Sequence, residues 1–274
     1  MGEREHVMPL ATQPSYVAYQ YADSEKLRIR IETHRRYTVG EDDFQTVELE
    51  HLQVQRGQRL LDVGCGPARL HSILTPLGVT VVGLDLSDGL LREARAAASS
   101  TWLVQGDAAA LPLGDAQFDR VCAFGVLYHV HDWMAALREM RRVARPGGRV
   151  VVSTNGPDAM QGLLDVHRQA ARAAGYVPSE TGGSWFHLDH LDRVREVFPR
   201  VEQHVVRSAL EFPEAEPALR FYATNRIDFL QDLPADGSHR ARLLPRVRAL
   251  IDEIIQREGV FRVSKTYGYF VADL

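Results

Sequence analysis

The chain of 274 residues is 45% hydrophobic and 25% charged, with a formal net charge of -4. This is ordinary globular composition, and the length suits one large α/β domain with added helices better than two complete domains. The negative balance leaves no global basic field and excludes nucleic acid as the expected partner, since phosphate contacts need clustered Lys and Arg.

A polar, tyrosine-rich start (Tyr16, Tyr19, Tyr21) leads into a predicted helix over 23–37. A second helix is expected over 42–54, with Phe44, Val47 and Leu52 near one face. Gly57 stops it, and Arg59-Leu-Leu-Asp-Val63 opens a strand. Leu70, Ile73, Leu74 and Leu77 recur at helical spacing until Gly78. A strand over 79–84, a helix over 88–98 and strands over 102–105 and 118–124 come next. Met134, Leu137, Met140 and Val143 mark a helix stopped by Pro146-Gly-Gly148, and a strand follows over 149–154. Beyond Asn155 the rhythm changes to helices over 158–174 and 188–197, then a strand over 201–212. Helices over 217–230 and 240–257 precede a closing strand over 260–274. Short buried strands alternating with helices predict a doubly wound, mostly parallel sheet, here with an antiparallel C-terminal strand.

Several function classes drop out on other grounds. Cys65 and Cys122 lack metal-ligand or disulfide spacing, so a cytoplasmic protein without bound metal is expected. Residues 1–10 carry no apolar core of a secretion signal, and no run is long enough to span a bilayer, so no membrane partner is expected. Arg35-Arg36 and Arg141-Arg142, the densest basic spots, fall in helical patterns and read as solvated faces.

The strongest chemical signal is Leu61-Asp-Val-Gly-Cys-Gly-Pro-Ala68, after a strand and before a helix. Gly64 and Gly66 let the backbone turn sharply and approach a ligand at the strand's carboxyl end. Asp85 ends the next strand, where an acidic side chain can accept from ribose hydroxyls. A dinucleotide fingerprint requires a third glycine at position 69, which is Arg69, so a nucleoside without a pyrophosphate fits better than NAD.

With Gly83-Leu-Asp-Leu-Ser87, Gly106-Asp-Ala-Ala-Ala-Leu-Pro112, Phe118-Asp-Arg-Val121 and Arg145-Pro-Gly-Gly-Arg149 added in order, the chain resembles the class I S-adenosylmethionine-dependent methyltransferases. Within them it is similar to the small-molecule group related to ubiquinone and menaquinone methylases. The resemblance covers about 57–155 plus the terminal strand. It implies an α/β, Rossmann-like fold, S-adenosylmethionine as cofactor, and methyl transfer to a small-molecule acceptor through oxygen, nitrogen or carbon. It also implies roles. Gly64 and Gly66, flanking Cys65, would line the methionine and ribose portion, with Asp62 supporting the loop. Asp85 would hold the ribose hydroxyls, Leu86 would pack on adenine, and Asp107 would accept from its amino group beside Ala108. Phe124 would offer its backbone near the methionine amine, and Arg30 would pair with the cofactor carboxylate.

The catalytic candidates are Tyr128 and His129, in the run after the fourth strand where the reacting atoms belong. His129 has the side chain best suited to act as a general base near neutrality, and the alternative is a packing residue beneath the next helix. Residues 1–56 resemble the family's N-terminal helical lid. The helical stretch 213–259, within the cofactor-binding unit 57–274, reads as a cap. Candidate acceptor contacts are Tyr21, His34 and Tyr37 in the first segment, Trp185 between them, and Tyr222, Asn225 and Arg226 in the second. A protein that binds the cofactor without transferring methyl (a lyase, a cyclase or a regulatory binder) would keep the same cofactor motifs. An oxidoreductase is disfavoured by Arg69, and an amino-methylating DNA enzyme by Ala123-Phe-Gly-Val126, which lacks an Asn/Asp-Pro-Pro-aromatic tetrad.

Overall fold

The computed structural model describes residues 10–40, 44–97, 102–179 and 185–274. The described residues include three N-terminal α-helices, α1 (Pro14–Gln20), α2 (Glu25–Tyr37) and α3 (Phe44–Leu52), with a two-residue strand β1 (Thr38–Val39) between the last two. Strands β2 (Arg59–Val63), β3 (Thr80–Asp85) and β4 (Trp102–Gln105) alternate with α4 (Arg69–Leu74) and α5 (Asp88–Ala97). Strands β5 (Phe118–Phe124) and β6 (Ala144–Asn155) flank α6 (Trp133–Val143). After α7 (Gln161–Ala173) and α8 (Leu191–Val197), β7 (Val201–Phe212) is joined to β8 (Phe261–Asp273) through α9 (Ala215–Tyr222) and α10 (Ser238–Glu258).

The eight strands form one sheet in the order β1-β7-β8-β6-β5-β2-β3-β4. The chain enters at β2, runs outward to β4, then crosses back to β5 on the other side of β2. That reversal opens a crevice at the carboxyl ends of β2, β3 and β5, the place where open α/β sheets bind ligands. Strands β2 to β6 are parallel, whereas β8 runs antiparallel to both β6 and β7.

The period of two along each strand builds the two faces of the core. Leu61, Val82, Val121 and Val152 face α6 and α8, whereas Leu60, Val81, Cys122 and Val151 face α3 and α4. A third core belongs to the helices that follow β6: Leu163, Leu219, Leu243 and Val247 pack on Phe212, Phe261 and Val263. Strand β6 stops at Asn155 opposite Tyr267, while β7 and β8 continue pairing to Phe212 and Phe261. At ~3.4 Å per residue, this overhang carries α9 and α10 roughly 20 Å beyond the end of β6, on the ligand side.

Several elements differ from the sequence reading. Helix α1 lies where only a polar segment was expected, because just two of its residues, Tyr16 and Gln20, are buried and periodicity has little to register. Strand β6 begins at Ala144 rather than at Arg149, since Ala144 pairs with Phe118 before a register shift around Pro146-Gly-Gly148. The helix expected over 217–230 ends at Tyr222 and resumes as a 3-10 turn, Arg226–Asp228. The expected starts and ends at 42 and 98, and the reading of residues 1–9, fall outside the described residues.

Candidate functional site

A cavity of about 710 Å³ fills the crevice. Its floor is the loop after β2, where Gly64 adopts φ +72° and its N–H donates to the Leu84 carbonyl at 2.7 Å. A Cβ at Gly64 would lie 2.4 Å from the Val126 side chain, so only glycine fits. The Gly66 N–H donates to Asp85 Oδ2, and the Ser87 N–H to Asp85 Oδ1, both at 2.8 Å. These bonds fix the carboxyl group at the end of β3 with its remaining surface toward the cavity. Burial pushes the Asp85 pKa up, and the backbone donors oppose that rise. Leu86 is exposed at the rim, and Asp107 accepts from the Ala109 N–H at 2.8 Å beside buried Ala108.

Asp62 lies beneath this loop, 5% exposed. Desolvation pushes its pKa up to about 7, against the attraction of Arg69. The Cys122 thiol points at its Oδ1, 3.6 Å away. Cys65 is buried in the loop itself, with its thiol pKa pushed up by burial.

The N-terminal helices close one side of the cavity. The Ser87 hydroxyl donates to the Tyr21 carbonyl at 2.7 Å, and the Tyr21 hydroxyl reaches His129 Nε2 at 2.7 Å. His129 Nδ1 sits 2.9 Å from the Ala11 carbonyl, which can only accept, so Nδ1 carries the proton and Nε2 accepts from Tyr21. Burial pushes the imidazole pKa down to about 4, helped by the Arg30 and Arg226 charges. The neighbouring Tyr128 hydroxyl has its pKa pushed up by burial. Both ring nitrogens of His129 are thus engaged within the protein, the arrangement of the packing alternative for this residue.

A second chamber of about 240 Å³ opens behind the first. The two share Arg30, His34, Glu48, Phe124, Gly125, Tyr128 and His129 as walls. The α9–α10 segment contributes Phe221, Asn225, Arg226 and Phe229 to the inner chamber, and β8 contributes Lys265 and Tyr267. The Arg226 guanidinium lies 5.0 Å over the Phe229 ring, and desolvation lowers its pKa to about 10. Behind this wall, buried Asp228 accepts from Arg240 at 2.6 Å and faces His239 at 3.0 Å and the Tyr16 hydroxyl at 3.3 Å. That cluster ties α1 to α10.

Arg30, His34, Tyr21, Asn225 and Arg226 thus come together with the glycine loop, Asp85, Asp107 and Phe124. Three expected contacts do not. Tyr37 packs its ring 5.0 Å from Phe212 in the core, away from both cavities. Tyr222 is fully buried with its hydroxyl 2.7 Å from His167 Nδ1, since α9 turns that face toward α7. Trp185 donates to the His131 carbonyl at 3.0 Å and lines a separate shallow cavity with Trp133 and His190. The sequence reading missed Glu48 and Lys265. A lone lysine in the buried strand Phe261–Asp273 was the available signal for the latter. Among the described residues, no group of three or more His, Cys, Asp or Glu is placed to hold a metal.

Fold and crevice define a Rossmann-like domain with a ligand cavity at the carboxyl ends of its parallel strands. The family model described as "methyltransferase domain" matches residues 61–152. The chain is 35% identical over 126 residues to a malonyl-[acyl-carrier protein] O-methyltransferase of Erwinia pyrifoliae, covering 46% of this chain and 48% of that protein. It is 40% identical over 110 residues to a demethylmenaquinone methyltransferase of Staphylococcus carnosus, covering 38% and 45%. The chain spans about half the length of the curated relatives it matches. The crystal structure of the 4+2 cyclase SpnF superposes with TM-score 0.57 at 18% identity, covering 97% of each chain, a likeness of fold alone. Residues 61–152 are thus similar to a methyltransferase domain, and over that stretch the chain is similar to methyltransferases that include a quinone methylase. S-adenosylmethionine is the methyl donor this domain implies. Among the described residues no helix is long and apolar enough to cross a membrane.

Proposed function

We propose that this protein transfers a methyl group from S-adenosylmethionine to a small molecule held in the inner chamber. The observation that carries this reading is the junction of two cavities at Phe124, Tyr128 and His129, one walled by the cofactor motifs and the other by α9–α10. The cavity fits the cofactor. A Cβ at Gly66 would meet nothing closer than Leu27 at 3.8 Å, leaving room for a ligand against the backbone. The buried Arg30 Nη2 has no hydrogen-bond partner among the described residues and suits the methionine carboxylate.

In this reading Asp85 receives the ribose hydroxyls, Asp107 the adenine amino group, and Leu86 covers the adenine face. Asp62, Gly64, Cys65, Gly66 and Ala108 shape the cradle, and Phe124 lies at the methionine end. When bound, the cofactor supplies an electrophilic methyl group on a sulfonium, so the chain's task is alignment and exclusion of water. His129 and Tyr128 act as positioning residues: His129 holds Tyr21 down over the junction, and Tyr128 walls it. Residues 1–56 serve as a lid and 213–259 as a cap, so that acceptor choice rests with segments outside the matched domain. The negative net charge argues against a nucleic-acid acceptor, and the two buried thiols suit a reducing cytoplasm. The test is calorimetry with S-adenosylmethionine, S-adenosylhomocysteine and NAD, followed by transfer of labelled methyl to a metabolite panel. Binding of the first two without NAD supports the reading. Absence of binding, or of any transfer, overturns it.

A further inference from the structure

The charge inside the inner chamber is unbalanced. Among the described residues, the Glu48 carboxylate on its wall pairs with Arg69, and Asp228 behind it pairs with Arg240. Arg226 forms no ion pair among the described residues, and its buried Nε has no hydrogen-bond partner there. The groups that act on it are the hydroxyls of Tyr16, Tyr128 and Tyr21, which carry no counter-charge, and the like charge of Arg30. A buried guanidinium without a counter-charge is costly, and stacking on Phe229 offsets only part of that cost. An incoming anion would offset the rest.

The proton chemistry agrees. His129 already accepts from Tyr21, and the Glu48 carboxylate on the same wall is paired with Arg69, so neither is poised to deprotonate a neutral acceptor. An acceptor that arrives ionised needs no base.

Resting on the methyl-transfer reading above, we propose that the acceptor is a small carboxylate received by the Arg226 guanidinium in the wall of the inner chamber, one of whose oxygens takes the methyl group as the sulfonium C–S bond breaks and leaves S-adenosylhomocysteine. The planar fork of arginine matches a carboxylate in two parallel hydrogen bonds. Arg226 follows α9 directly, so the cap both closes the chamber and reads the acceptor's charge.

The experiment titrates benzoate and its neutral isostere benzamide into the protein, with and without S-adenosylhomocysteine, by chemical-shift perturbation. Benzoate should bind at least about tenfold more tightly than benzamide, the value of one charge-assisted pair. Arg226→Met should abolish that preference while S-adenosylhomocysteine affinity is kept, and Arg226→Lys should recover part of it. Equal binding of the two probes to the wild type would overturn the proposal, as would a preference that survives in Arg226→Met. If Arg226→Met is unfolded, Arg226→Lys decides: a reduced but measurable preference supports the proposal, and an unchanged one overturns it. A protein that prefers benzoate yet never binds S-adenosylhomocysteine would refute the methyl-transfer reading and leave the anion site standing.

Discussion

The Tyr21 hydroxyl donates to His129 Nε2 across 2.7 Å, while Nδ1 of the same ring holds the Ala11 carbonyl at 2.9 Å. One imidazole therefore fastens the N-terminal segment at two points to the loop after β5. Tyr21→Phe keeps the ring and removes the donor, and is expected to weaken S-adenosylhomocysteine binding about fivefold, one net hydrogen bond. Calorimetry checks it, and an unchanged Kd would show that the contact does not hold the cofactor cavity closed.

The same ring sets an acid limit. Its pKa falls from 6.5 to about 4 on folding, so between those values the folded state binds fewer protons than the unfolded one. The stability it contributes is present above about pH 6.5 and is lost as pH falls through about 4. Wild-type activity should accordingly stay level from pH 8 to about 6, and thermal stability should drop toward pH 4. His129→Phe should lack that acid step. A rate that falls with a midpoint near 6.5 would instead identify His129 as a freely titrating base.

Asp62 works in the opposite direction. Its pKa rises from 3.8 to about 7, so the folded state holds the proton more firmly between those values. Stability is complete below about pH 4 and declines as pH rises through about 7. Asp62→Asn removes the titration at constant shape, so its melting temperature should fall several degrees less than the wild type between pH 5 and 8. Parallel melting profiles would contradict the buried, protonated carboxyl.

Asp85 carries the cofactor reading. Asp85→Ala should weaken S-adenosylmethionine binding by about 1–3 kcal/mol, roughly tenfold to a hundredfold. Equal affinity in the variant would remove the ribose assignment.

Asp228, 2% exposed, joins α1 to α10 through Tyr16, His239 and Arg240. Asp228→Ala leaves those partners unmatched and should cost about 3 kcal/mol of stability. Limited proteolysis should then cut the segment before α2 faster than in the wild type. Unaltered melting and proteolysis would mean that the cluster is not what secures α1.

The amino-acid sequence by itself determined the cofactor end. Gly64 to Pro67 follow β2, Asp85 ends β3 and Asp107 follows β4, and parallel strands deliver their carboxyl ends to the same edge of the sheet. Local pattern and register therefore imply their convergence, and the crevice contains them all. The inner chamber was decided only by tertiary structure. Arg30, Arg226 and Lys265 come from α2, the turn after α9, and β8, elements whose proximity depends on the β7–β8 overhang and on Asp228. Periodicity marks which side of a helix is buried but not what it is buried against. Tyr222 and Arg226, four residues apart, would share one helical face, yet α9 ends at Tyr222. Tyr222 therefore packs against His167, and Arg226, on the 3-10 turn beyond, faces the chamber.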